Sequence, residues 1–226
     1  MNKQKISAIA KKKFQEELAR KILIYCYPEK YQNAQLAESP DIINDNPSIG
    51  VEVTQSLSSP IQENMSRAID ISGKREEELS PINLKNIQRN QFIAKKLPNG
   101  QYLCAFTAWG NLHSIIEAYK RKYFILNKPH FNHYQENNLF ILSPLIDQEE
   151  LQNGIQQILQ FSSEKSNQFP HSFHIVYIYT EKELFCICLK NQSVTSIPIP
   201  TEILQETSQT SANALEIIVK KHNNNQ

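Results

Sequence analysis

Apolar and polar positions change period several times along the chain, and each change predicts an element. Between residues 5 and 25, Ala10, Phe14, Leu18 and Tyr25 recur at helical spacing and predict a helix with one apolar stripe and its lysines outside. Residues 27–37 carry a proline and several polar side chains and read as a loop or an irregular first strand. Ile49, Val51 and Val53 then alternate with Gly50, Glu52 and Thr54, the period of a strand with one face toward a core. Asp41 follows Pro40, which cannot donate to a ladder and belongs at a strand start or edge. Asn44, Asp45, Asn46 and Pro47 are turn formers between the two short apolar runs, so residues 41–55 predict a hairpin.

Ser59, Pro60 and Gln62 have the order of a helix start, N-cap, first position and capping box, for a helix reaching about Leu79 and ended by Pro81. Pro98, Asn99 and Gly100 separate two apolar segments and predict a second hairpin within residues 91–109, although 87–97 also reads as helix. Asn111 can cap a helix to about Asn127 with Leu112, Ile115, Ile116, Tyr119, Tyr123 and Leu126 on one face. Lys120 and Lys122 flank that face on opposite sides, and Glu117 and Arg121 point outward. Residues 139–143 are a short buried strand, and Leu151, Ile155, Ile158 and Leu159 mark a helix over 148–162. Residues 173–179 and 184–189 form a further hairpin, 212–221 a terminal helix, and the last polar residues a disordered end. The predicted class is α/β.

Length and charge narrow this picture. At 226 residues the chain suits one elaborated domain, with a core over about 5–162 and a C-terminal hairpin and tail over 163–226. A formal net charge of +1 supplies no global field for a polyanion, so any nucleic-acid surface must be a local lysine patch such as Lys95 with Lys96, or residues 120–122. Cys26, Cys104, Cys186 and Cys188 lie in apolar surroundings without C-x-x-C spacing, as reduced thiols in a cytoplasmic protein would. Lysines interrupt any N-terminal signal pattern and no apolar run approaches ~20 residues, so a soluble protein without a membrane span is expected.

The candidate chemistry is in the first hairpin. Pairing its two strands would bring the Asp41 and Glu52 carboxylates to one end of the sheet, an arrangement that repels unless a divalent cation sits between them. Pro40-Asp41, the spacing to Glu52 and the hydrophobic-Gly-hydrophobic-Glu-hydrophobic run 49–53 resemble the PD-(D/E)XK, restriction-endonuclease-like nuclease superfamily. The resemblance covers fewer than twenty residues. It implies an αβββαβ core, a mixed central sheet flanked by helices, here with extra hairpins. It also implies Mg2+ or Mn2+ on Asp41, Glu52 and the Val53 carbonyl, and a catalytic lysine two residues after the glutamate. That position is Thr54, which is neither cationic nor a base at neutral pH. Some members carry the basic residue on a neighbouring helix, and the order of hairpin, lysine-bearing helix and buried strand is similar to that variant, with Lys122 the first choice and Lys120 the second. The family often places an acid on its first helix, which makes Glu17 a further candidate, while Glu16 points further round.

Other constellations carry less. Cys186 and Cys188 share a strand face without a ligand cluster nearby and read as small core residues. His130 and His133 have metal-site spacing in a polar loop but lack partners. There is no G-K-[ST] phosphate loop and no G-x-S-x-G elbow. The expected function is a metal-dependent phosphodiesterase acting on DNA, with RNA as the second substrate, gripping nucleic acid as a homodimer or with a partner protein. The alternative is a restriction-like fold without chemistry that serves as a nucleic-acid- or protein-binding module.

Overall fold

The computed structural model describes residues 3–46, 48–57, 67–68, 70–88, 93–105, 114–144, 146–180, 182–203 and 205–207. In chain order these form α1 (Lys3–Cys26), α2 (Pro28–Tyr31), β1 (Gln35–Leu36), β2 (Ile42–Asn44), β3 (Ile49–Gln55), a 3-10 turn (Glu76–Glu78) and α3 (Pro81–Gln88). They continue with β4 (Ile93–Lys96), β5 (Tyr102–Ala105), α4 (Ile115–Leu126), β6 (Glu136–Leu142), α5 (Gln148–Lys165), β7 (Ile175–Tyr179), β8 (Glu183–Cys188) and β9 (Ser193–Pro198). The helix start at 59–62, the Asn111 cap and the terminal helix at 212–221 lie outside the described residues. The chain divides into two compact units, residues 1–56 with 115–226, and residues 57–114.

The larger unit is a seven-stranded sheet in the order β1-β2-β3-β6-β7-β8-β9. β3, β6 and β7 run parallel, and antiparallel strands extend the sheet at both ends, so it is mixed and open. Parallel neighbours need long crossovers, and α4 and α5 lie in the connections before β6 and β7. Two cores result. On one face Leu18, Ala19, Ile22 and Leu23 of α1 pack with Ile49, Val51, Val53, Phe140 and Tyr177. On the other, Ile115, Tyr119 and Tyr123 of α4 and Leu151, Ile155 and Ile158 of α5 cover Leu139, Ile141, Val176 and Ile178. Ile22 and Leu23 are fully buried, each contributing about 2–3 kcal/mol of apolar transfer free energy.

Covering both faces changes the reading of β3. Its apolar alternation predicts one core face, but Gly50, Glu52 and Thr54 are buried as well, because α4 lies over that side. Gly50 has a local reason to be glycine. A Cβ there would stand 2.7 Å from Pro40 Cγ and 2.8 Å from Tyr134 Cδ2, so a larger residue would push away the segment that carries Asp41.

Several expectations shift. The stripe on α1 runs through Leu18, Ala19, Ile22 and Leu23, and Tyr25 is 51% exposed. Residues 27–37 contain the short helix α2 and the two-residue β1, which pairs with β2. β9 extends the C-terminal hairpin into a three-stranded meander that its polar sequence, SVTSIP, does not announce.

The smaller unit carries the hairpin of β4 and β5, whose turn uses Gly100 at φ +82°, as the Pro-Asn-Gly signal predicts. Ala68, Ile71 and Leu79 form its small core. Pro81, expected to end a helix reaching about Leu79, instead opens α3 at its first position, and residues 76–78 before it form only the 3-10 turn. No helix among the described residues is long and apolar enough to cross a membrane.

Candidate metal and phosphate site

β2 and β3 pair antiparallel with Ile42 opposite Val51, and this register decides where the two acids go. Continued past the end of β2, it sets Asp41 opposite Glu52 and Pro40 opposite Val53. Proline has no N–H to offer the Val53 carbonyl. The Val53 N–H is taken instead by Asp41, whose Oδ2 accepts it at 2.8 Å. The Asp41 side chain therefore closes the end of the ladder, 4% exposed. Glu52, one residue before Val53, points to the α4 face, and its side chain is 7% exposed. Glu52 is the middle residue of β3, and Asp41 lies opposite it just before the first residue of β2.

α4 answers with Lys122. Its Nζ donates to Glu52 Oε2 at 2.5 Å and stands 3.9 Å from Asp41 Oδ2. A helix buried on its Ala118, Tyr119 and Tyr123 side presents Lys122 at the flank of that stripe, where a long stem crosses apolar surface to reach an acid. Burial raises the Glu52 carboxyl above its usual range, and Lys122 opposes that rise. Lys120, the second choice, faces elsewhere, with its Nζ 3.2 Å from Glu117 Oε1 and over the Phe161 ring of α5.

The acid that α1 brings is Glu16. It is 7% exposed, in line with Ala19 and Leu23 at helical spacings of three and seven, whereas the stripe drawn through Phe14 and Tyr25 places it outside. Glu17 turns to Arg20, which grips both its carboxylate oxygens at 2.7 and 2.8 Å and also reaches the Ala34 carbonyl. That pair ties α1 to the chain leading into β1 and leaves Glu17 out of the acidic cluster. Lys12, one turn before Glu16, stands 3.2 Å from Glu16 Oε1 and 3.2 Å from Asp41 Oδ1. The Glu16 carboxyl is buried, with Lys12 and Asp41 as its polar neighbours. Burial raises the Glu16 carboxyl, against the pull of Lys12. Burial lowers Lys12, but Asp41 and Glu16 outweigh it and its pKa is raised.

Arg121 corrects another expectation. Although exposed, its Nη2 donates to Thr54 Oγ1 at 2.8 Å and contacts the Gln55 carbonyl at 3.4 Å. Thr54, where the resemblance expects lysine, is thus held by a cation from α4. Neighbouring residues of one helix deliver positive charge to both Glu52 and Thr54. Lys12, Glu16 and Arg121 were the residues that sequence reasoning missed. The Lys12–Glu16 spacing of four, aligned with Ala19 and Leu23, was the signal for the first two.

The other candidates disperse. His133 stacks on His171, ring centroids 3.6 Å apart, and burial followed by the His171 charge lowers its pKa. Lys96 pairs with Glu76 at 2.6 Å, both exposed, a contact worth little to stability. Among the described residues no group of three or more His, Cys, Asp or Glu side chains is arranged to hold a metal ion. The acidic side chains gathered at Asp41, those of Glu16 and Glu52, nevertheless offer only hard carboxylate oxygens and are buried with it. That set fits Mg2+ or Mn2+ and does not fit a soft metal. No family model, curated protein or solved structure matches the chain.

Proposed function

We propose that the chain is a metal-dependent phosphodiesterase of the PD-(D/E)XK, restriction-endonuclease-like kind, acting on DNA before RNA. The observation that carries the reading is the ammonium group of Lys122, placed from α4 on Glu52 and near Asp41. Within the larger unit α1, β1, β2, β3, α4 and β6 follow in the order of an αβββαβ core, with the short α2 between α1 and β1, and this supports it. Asp41, Glu52 and the Val53 carbonyl would hold Mg2+ or Mn2+, with Glu16 beside them. When bound, the cation supplies Lewis acidity and lowers the pKa of water.

The protein's own groups do the rest. Asp41 is fixed by the Val53 N–H, so its carboxylate is oriented before any ligand arrives. Lys122, with a side chain only 16% exposed, adds positive charge where the phosphate gains negative charge as water attacks phosphorus. It takes the electrostatic part that Thr54 cannot play. Arg121 keeps Thr54 oriented and leaves further positive charge at the rim. Burial of Glu16 and Glu52 excludes bulk water from the acids and strengthens each of these interactions.

Calorimetric titration with Mg2+ and Mn2+, on the wild type and on Asp41→Asn and Glu52→Gln, tests the reading, with plasmid and oligonucleotide cleavage run on the same samples. Metal-dependent cleavage lost in either variant is expected. A wild type that binds neither metal refutes it. Metal binding without cleavage of any nucleic acid would favour the binding module.

A further inference from the structure

Lys12 and Lys122 are not equivalent. Lys122 is enclosed, whereas the Lys12 side chain is 61% exposed and reaches in from solvent over Asp41 and Glu16. Three carboxyl groups, those of Glu16, Asp41 and Glu52, meet only two ammonium groups, those of Lys12 and Lys122. Lys12 Nζ is 3.2 Å from Glu16 Oε1 and 3.2 Å from Asp41 Oδ1, at the upper end of charge-assisted hydrogen-bond lengths. A compact divalent ion with oxygen-only preference satisfies such atoms better than a lysine on a flexible stem.

Resting on the nuclease reading, we infer that Lys12 is a displaceable counter-ion of this site. It stands where a divalent cation would contact Asp41 and Glu16, leaves when the cation enters, and then turns to a substrate phosphate. The two binding events are thereby coupled. Without a divalent ion Lys12 is spent on the carboxylates and adds nothing to polyanion binding. With the ion bound, the carboxylates no longer need it, and its exposed stem lets the ammonium swing outward. By reciprocity, nucleic acid holding Lys12 away tightens the metal.

The test is Lys12→Met, which keeps the stem, beside Lys13→Met, which makes the same change in net charge one residue further along α1. Mn2+ affinity is read by calorimetry without nucleic acid, and affinity for a fluorescent DNA duplex by anisotropy with Ca2+ or with chelator. Circular dichroism checks that both variants are folded. Lys12→Met is expected to bind Mn2+ about five- to tenfold more tightly, having lost the competing charge. In Ca2+ it should bind the duplex about threefold more weakly, with the salt slope reduced by about one, and in chelator no differently from the wild type. Lys13→Met should do none of this. Unchanged or weaker Mn2+ binding by Lys12→Met, or equal loss of duplex affinity with and without Ca2+, overturns the inference while wild-type metal binding and cleavage leave the nuclease reading standing. A wild type that binds no Mn2+ removes both.

Discussion

Replacing Lys122 with methionine keeps most of the stem that crosses α4 and removes the charge facing Glu52. Breaking a buried ion pair from one side costs about 3–5 kcal/mol, because the remaining charge stays desolvated. The Glu52 side chain is 7% exposed and that of Lys122 16%, so the lower end of that range, about 3 kcal/mol, applies above neutral pH. With an m-value of about 2–3 kcal/mol/M, the urea midpoint should fall by roughly 1 M. The loss must also depend on pH. Burial already raises the Glu52 carboxyl, and without Lys122 the folded-state value climbs further. A carboxyl with a raised folded-state pKa contributes stability that is full below its unfolded value, about 4.3, and is lost as pH rises through the folded value. The deficit of Lys122→Met should therefore be small near pH 4 and grow toward pH 8. Urea unfolding in chelator across that range measures it. Adding Glu52→Gln should recover about 2 kcal/mol of the deficit at pH 8. A deficit independent of pH, or no recovery in the double variant, would refute the assignment of the pair as buried and coupled.

Three further outcomes follow from other parts of the unit. Gly50→Ala should cost about 1–3 kcal/mol in thermal or urea unfolding, since Pro40 and Tyr134 stand within 3 Å of the added carbon, and it should weaken Mg2+ binding by displacing Asp41. Glu16→Gln should weaken Mn2+ binding by calorimetry about tenfold, whereas Glu17→Gln should leave it unchanged and cost at most about 1 kcal/mol through its Arg20 pair. Burial, with the neighbouring Cys186, pushes the Cys26 thiol up to about 11, so iodoacetamide labelling at pH 8 should be on the order of a hundredfold slower than for an ordinary cysteine, read by mass spectrometry.

The residues that proved legible in sequence are those whose pattern is local. The alternation of Ile49, Val51 and Val53 marks β3, and the turn formers after Asp41 mark its partner β2. Stepping round α4 puts Lys122 at a flank, where it meets Glu52. What stayed hidden depends on what covers each element. Phe14 and Tyr25 suggested a stripe on α1, but the sheet takes Ala19 and Ile22, which turns Glu16 inward and Glu17 toward Arg20. Arg121 reads as solvent-facing on any helical wheel, and only the position of β3 beneath α4 shows that its guanidinium reaches Thr54. β9 has few apolar residues because its faces are mostly exposed, so it lacks the pattern by which strands are found.

The connection between β3 and α4 carries a whole compact unit, residues 57–114, between the strand of Glu52 and the helix of Lys122. Closing so long an excursion costs only roughly 1.5 kcal/mol more than closing a connection of about ten residues, because the entropy grows with the logarithm of length. The segment between acid and lysine is thus one where a chain can gain or lose substantial material at small thermodynamic expense. The penalty falls on kinetics. Glu52 and Lys122 are 70 residues apart in sequence, so their meeting waits for distant pieces of the larger unit to find each other. An isolated β2–β3 peptide would carry both acids and the Gly50 contact with Pro40, yet lack Lys122.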